Sequence, residues 1–421
     1  MTAAFNPNRS AAWLAVLPAL LGLGLAAVVL GGCSCEGPKP RVGPAPAKEI
    51  PLIRVKLGSD CRSLAVAVAG PYRLQRGAET LASGDRLDWT TFSLRGGEVA
   101  TESGPLGTPP LEIHPAEDGT LAVRQPVEGK ERQRAYRGFL RLVATAEGNL
   151  KAVNVLPMEA YLAGVLRNEL LKSWHLEAYK AQAVAARTYA LAERNRRLTQ
   201  PFDVYDSQQS QVYGGKDTET QRAWEAVAAT QGIVVAYRDQ EGRLRLLRTF
   251  YHAVCGGGTC PSGVVFGGET PPPLAGVKCN YCYRSRLYRW ADVVLEKKDI
   301  GEALRRSGVA DLRRLGEVRR VEVAATTGAG RATKIRVVDA GGLSILVNSD
   351  SWRRFIGARK VPSTWFTIRD DGERIVLENG HGFGHGVGLC QWGAEYLAEQ
   401  DLTAEQILRF YYPGAVLVRA Y

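Results

Sequence analysis

Residues 176–191 read LEAYKAQAVAARTYAL, and residues 153–165, shortly before them, read VNVLPMEAYLAGV. Seven alanines fall from Ala178 to Ala192, the last just past the first stretch. Alanine favours helix and holds no neighbour away, so a helix from Leu176 to about Arg196 is expected at the centre of the fold, with Ser173 as its N-cap. In the second stretch, Pro157 stands where a missing amide costs nothing, opening a helix that carries Met158, Tyr161, Leu162, Val165 and Leu166 at helical spacing. Glu169 falls in the joint, within Arg167-Asn168-Glu169-Leu170-Leu171. Taken alone, it reads as a solvated surface carboxylate or a helix cap. Lys180, Gln182 and Arg187 interrupt the small, apolar surface of the Ala-rich helix, and Lys180 and Arg187 share a face. A buried cation needs an anionic partner, for which Glu169 is a candidate; the plain alternative is a solvated helix salt bridge.

Outward from these helices, Ile53–Leu57, Leu64–Val68, Tyr72–Arg76, Gly138–Ala144 and Leu150–Val155 alternate in polarity between turn residues and predict strands. On the other side the pattern predicts a helix over Gln221–Thr230, a strand over Gly232–Tyr237 and loops through Cys255–Cys282. A short helix over Ile300–Arg306 follows, then strands at Val318–Ala325, Lys334–Val338 and Leu343–Val347 and a helix at Thr403–Tyr411. The fold class expected is α+β, with β-rich modules flanking a helical region that lines a long open cleft. The expected organisation is a signal peptide over 1–32, a Pro/Gly/Ala-rich tether over 33–49 and a β-rich module over 50–150. The catalytic region then spans 151–421, including a Cys-rich loop at 252–282 and a Gly-rich tail at 380–394.

The 421 residues carry 54 Lys and Arg against 43 Asp and Glu, a net charge of +11, with 45% hydrophobic and 23% charged residues. This balance excludes a disordered tail, a fibre and a polytopic membrane protein. The one long apolar run, Ala11–Leu30 after Arg9, reads as an export signal. Leu30-Gly31-Gly32-Cys33 resembles a bacterial lipobox, in which Cys33 is the lipidated residue; the alternative is an uncleaved anchor. Either places the body outside the cytoplasm, with Pro38, Pro40, Pro44 and Pro46 extending the tether. Compartment then directs the basic charge to anionic wall polymers rather than nucleic acid.

Among the eight cysteines, Cys255, Cys260, Cys279 and Cys282 cluster in sequence. Their spacing approximates a four-thiolate zinc site, with His252 as a substitute ligand; two disulfides are the alternative in an exported protein. Cys61 and Cys390 stand alone, and Cys390 is expected to be a small buried residue. His381 and His385 have the spacing of a helical metal motif, but the glycines alternating around them oppose a helix and instead let backbone approach a ligand closely.

With Gln211-Val212-Tyr213-Gly214, Tyr251-His252, Gly256-Gly257, residues 382–388 (GFGHGVG), Gln391-Trp392-Gly393-Ala394 and Tyr411-Tyr412-Pro413-Gly414, the run from Asn154 to Leu191 resembles the SpoIID/LytB domain family over most of Ile53 to Val416. In that family SpoIID is a lytic transglycosylase of peptidoglycan and LytB is described as an amidase enhancer. The resemblance puts the catalytic glutamate on Glu169; Gln182, Gln211, Tyr213, His385 and Gln391 lie in the stretches that carry it and are expected to contact substrate, while Lys180 and Arg187 are expected to orient substrate or neighbouring loops. His385 also reads as a satisfied structural histidine.

Catalysis then needs no cofactor, and zinc or disulfides at the clustered cysteines would staple the loop rather than perform chemistry. The partners implied are glycan strands, the membrane through the lipid anchor and a cell-wall amidase, with no nucleic acid. Cleavage of the MurNAc–GlcNAc bond to 1,6-anhydro-MurNAc ends is one reading; non-catalytic activation of an N-acetylmuramoyl-L-alanine amidase is another. A hydrolase would need a second carboxylate, for which Asp203 and Asp206 are candidates. An acid role requires a desolvated Glu169 with a raised pKa, so Lys180 and Arg187 are expected not to pair with it. The zinc site that some members carry before the Gln-x-Tyr element has no counterpart, because Asp203–Ser210 holds neither Cys nor His.

Overall fold

The computed structural model describes residues 49–117, 119–127 and 130–421; the export signal, Cys33 and the tether up to Lys48 lie outside the described residues. The first strand, Leu52–Cys61, buries Ile53, Val55 and Leu57 at alternate positions. It pairs antiparallel with Leu150–Pro157 and parallel with Val204–Tyr205, inside a seven-stranded sheet. A six-stranded sheet containing Ser63–Val68, Leu87–Arg95 and Leu121–Val127 contributes Val66, Phe92 and Val123 to the same core. Strand Leu150–Pro157 leads straight into helix α1, Met158–Glu169, with Pro157 as its N-cap. A rigid sheet therefore aims the helix whose last residue is Glu169.

Helix α2, Leu176–Arg196, has the predicted bounds, but its cap is His175, whose Nδ1 accepts the Glu177 amide at 3.3 Å; Ser173 does not serve. Ala178, Ala181, Ala183, Ala185, Ala186 and Ala190 are all buried. They let α1, helix α3 (Gln221–Ala229) and strand Ile233–Arg238 approach α2. Burying a helix on several sides removes its amphipathic stripe, which is why composition, and not periodicity, signals it.

The other side of α2 faces a second core, which takes in the Cys-rich segment with its short helix α4 (Ser262–Phe266). A third core lies in residues 289–381 and is centred on buried Trp352. It holds helices α5 (Lys297–Arg305), α6 (Ala310–Arg313) and α7 (Ser349–Ile356). With them are the sheet of Val318–Thr326, Ala332–Asp339 and Ser344–Asn348 and the hairpin of Trp365–Asp371 with Arg374–His381. After it come helix α8, Gln391–Glu399, and helix α9, Ala404–Tyr411, both packed on α2.

Helix α8 escapes sequence reasoning because Gly393 interrupts it. A Cβ there would stand 1.9 Å from the Tyr411 hydroxyl and 3.2 Å from Cys279 Sγ. Gly393→Ala is thus expected to destabilise the protein by about 1–3 kcal/mol through overpacking, despite alanine's better helix propensity. A denaturant titration that gave equal or higher stability would show that α8 sits farther from α9.

Candidate active site

Glu169 is half-buried at the C-terminal end of α1. Its Oε1 accepts the Val212 backbone N–H at 2.9 Å, and its Oε2 lies 3.5 Å from Gln391 Nε2. The Tyr251 side chain is a third hydrogen-bonding neighbour. Burial pushes the carboxyl pKa up, opposed by the bonds from Val212, Gln391 and Tyr251. These three donors are neutral. Among the described residues Glu169 forms no ion pair, as an acid that must hold a proton requires.

Behind this carboxyl lies a relay of buried polar groups. Tyr161 donates to Gln211 Oε1 at 2.9 Å, and Gln211 Nε2 donates to the Tyr251 hydroxyl at 2.9 Å and to the Ala186 carbonyl at 3.3 Å. Burial holds the phenols of Tyr161 and Tyr251 well above the usual tyrosine range, so both remain donors. With its oxygen accepting from Gln211, the Tyr251 proton is free to point at Glu169. Gln391 Nε2 also lies 3.5 Å from Gln182 Oε1, while Gln182 Nε2 is buried with no protein partner. Gln182, Gln211 and Gln391 thus meet around Glu169 through hydrogen bonds.

The remaining expected contacts lie elsewhere. Lys180 pairs with Glu177 at 2.7 Å. Arg187 is fully buried and donates to both Glu159 oxygens, at 3.0 and 2.6 Å, and to the Ile233 carbonyl. Tyr213 is buried with its hydroxyl on Asn154 Oδ1 at 3.0 Å. Arg187 and Tyr213 therefore present their polar atoms to the protein interior, a correction to the substrate contacts expected of them.

His385 is lodged against Phe250, Phe266 and His252, with Nδ1 accepting the Val387 amide at 3.0 Å. Burial and then the Arg353 charge press its pKa down to about 3, so the ring is neutral. Its glycine neighbours 382, 384, 386 and 388 all have positive φ, which explains the absence of a helix there.

Asp203 accepts Arg54 at 2.6 and 3.1 Å, and Asp206 accepts Arg132 at 2.6 Å. Both candidate second carboxylates are committed to arginines.

The four cysteines that gather are not the four expected. Sulfur atoms of Cys255, Cys279, Cys282 and Cys390 all lie within 4.8 Å of one another, every one buried. Cys260 is buried outside that group, and Cys390 takes its place. The error has a physical source: Cys255 and Cys390 are 135 residues apart and meet only because strand Tyr251–His252 pairs in parallel with Leu389–Cys390. His252, the other ligand considered, instead bonds through Nδ1 to the Val387 carbonyl at 3.1 Å.

An uncharacterized protein of Brachyspira hyodysenteriae is 34% identical over 284 residues, covering 67% of this chain and 72% of that protein. The Stage II sporulation protein D of Bacillus subtilis is 25% identical over 323 residues, 72% of this chain and 86% of its own, and the family profile of Stage II sporulation protein SpoIID matches residues 146–237. The chain belongs to the SpoIID/LytB family. The amidase enhancer of Bacillus subtilis, 29% identical over 294 residues, matches 61% of this chain but only 40% of its own length.

The SpoIID match contains Glu169, Gln182, Gln211 and Val212, which is most of the acid's surroundings. A domain of unknown function, DUF8618, matches residues 278–388 and so takes in most of the third core. Tyr251, Cys390 and Gln391 fall outside both matched stretches. Sequence reasoning missed Tyr251 as a donor to the acid; its only signal was a place beside His252 in a motif.

The raised pKa makes a stability prediction. A carboxyl with a folded pKa above its unfolded value, about 4.3, costs nothing below that value, destabilises the fold increasingly as pH rises from it to the folded pKa, and exacts the full cost above. Glu169→Gln is therefore expected to raise Tm at pH 8, with the gain vanishing near pH 4. A gain that grew on acidification would mean that the carboxylate is stabilised by its neighbours.

Proposed function

We propose that this member of the family is a peptidoglycan lytic transglycosylase with Glu169 as acid and then base. The observation that carries the reading is the setting of Glu169: it sits at the end of α1 with the neutral donors Val212 N–H and Gln391 as partners and no ion pair among the described residues, and its burial favours the protonated form. Protonated Glu169 gives its proton to the glycosidic oxygen as the MurNAc C1–O bond breaks. The 6-hydroxyl of the same MurNAc then attacks C1 and returns a proton to the carboxylate, leaving a 1,6-anhydro end and consuming no water. This route needs one carboxylate, whereas hydrolysis through a second acid finds Asp203 and Asp206 occupied. Gln391, 3.5 Å from the Glu169 carboxylate, is placed to orient the acid, with the buried Gln182 behind it.

The chain acts outside the cytoplasm, held to a membrane by lipid on Cys33, and its net charge of +11 favours the acidic wall polymer. The likeness to an amidase enhancer supports a second reading, in which the same site binds wall without cutting and activates an amidase. The test is to incubate the chain with purified glycan strands, peptide-bearing and denuded, and identify products by mass spectrometry. Anhydro ends support the transglycosylase; binding without cleavage, with stimulation of an added amidase, supports the activator; reducing ends overturn both.

A further inference from the structure

We infer that Cys255, Cys279, Cys282 and Cys390 form a tetrathiolate site for a structural zinc-class ion that joins the two chain segments carrying Tyr251 and Gln391. Around zinc, four sulfurs at about 2.3 Å in tetrahedral array stand roughly 3.8 Å apart. Here all four lie within 4.8 Å of one another, with Cys255 and Cys282 at 3.4 Å. Two disulfides require each sulfur to approach one partner. Mutual approach of all four is the demand of a central ion.

The surroundings are those of a thiolate site. The Cys255 amide donates to Cys390 Sγ at 3.2 Å, and the Tyr411 hydroxyl lies 3.2 Å from Cys279 Sγ, so groups able to donate face the sulfurs. The positive φ of Gly256 and Gly257 turns the chain tightly after Cys255, and the Cys279 amide bonds to the Gly257 carbonyl at 3.1 Å, fixing one cysteine turn against the other. The buried Arg331 guanidinium donates to the Cys255 carbonyl at 2.5 Å, setting a cation beside a site whose four thiolates around a divalent ion carry net negative charge. Helix α8 approaches closely because position 393 has no side chain.

The site's place in the chain gives it a role. Cys390 immediately precedes Gln391, and Cys255 follows Tyr251 by four residues. The ion would fasten the parallel strands Tyr251–His252 and Leu389–Cys390 to the Cys279–Cys282 turn, making the four cysteines positioning residues for the Glu169 partners. This consequence rests on the function proposed for Glu169; the metal site itself does not.

The test uses the full chain purified under reducing conditions, with metal measured by mass spectrometry. About one zinc per chain is expected, retained by Cys260→Ser and lost by Cys390→Ser. Cobalt loaded into the wild type should give the intense sulfur-to-metal charge-transfer bands of a tetrahedral thiolate site. Tyr411→Phe, which keeps all four ligands, should weaken metal affinity roughly ten-fold. Glu169→Gln should bind zinc as the wild type does, so failed cleavage leaves the metal result standing. Chelation of the wild type should lower Tm and reduce glycan cleavage. A metal-free chain whose four clustered thiols are consumed as disulfides would overturn the inference, as would metal lost by Cys260→Ser and kept by Cys390→Ser.

Discussion

Glu169→Gln is expected to lower glycan cleavage by about 10²–10⁴-fold, the range attributable to a positioned general acid, while leaving strand binding and the fold intact. Glutamine preserves the side chain's shape and keeps a carbonyl oxygen for the Val212 amide, so the change isolates the proton. The pH profile of the wild type carries a second signature. Since burial raises the Glu169 pKa, the protonated form persists above the usual carboxylate range, and the rate should fall as pH rises through that pKa. Tyr251→Phe removes a donor that favours the ionised form, so it should move this falling limb to higher pH. Full activity in Glu169→Gln would remove the residue from the chemistry, and an unmoved limb in Tyr251→Phe would remove the phenol from its control.

Arg187→Met is expected to cost stability, by about 3–5 kcal/mol, because it leaves a nearly buried carboxylate without its cation. Glu159 also accepts the Tyr421 hydroxyl at 2.6 Å and the Gly232 amide at 3.3 Å, while Arg187 reaches the Thr230 hydroxyl and the Ile233 and Val227 carbonyls. One pair thus joins α1, α2, the end of α3 and the strand that follows. Replacing both partners, Arg187→Met with Glu159→Gln, should recover part of the loss, since no isolated charge remains. Chemical denaturation of the single and double variants measures this. A loss below 1 kcal/mol in Arg187→Met would mean that water reaches Glu159.

These two arginine and glutamate sites mark how far the sequence could be read. The helices were legible because Pro157 marks a start and an alanine-rich run admits few alternatives. That Arg187 needed a buried anion was legible, and the acid role expected of Glu169 already set it apart from Arg187; that the anion is Glu159 was not legible, because only the rotation of α1 against α2 brings it there. Cys390 and Tyr251 were harder still. Their partners lie far along the chain, and no local periodicity records a parallel pairing of two short strands. The strands between Glu79 and Tyr136 went largely unpredicted because several alternate weakly and carry exposed charges.

The pairing of Tyr251–His252 with Leu389–Cys390 encloses the whole 289–381 unit between its two strands. Closing a flexible loop of that length is entropically unfavourable, but a unit with its own core that pairs Arg289 with His381 brings the loop's ends together beforehand. In refolding, the enclosed unit is therefore expected to condense first and the Gln391 side of the acid's surroundings to dock last. The same topology makes that docking step the first to reverse, so in native-state hydrogen exchange the amides of residues 389–391 should open at lower denaturant than those of the strand Leu150–Pro157.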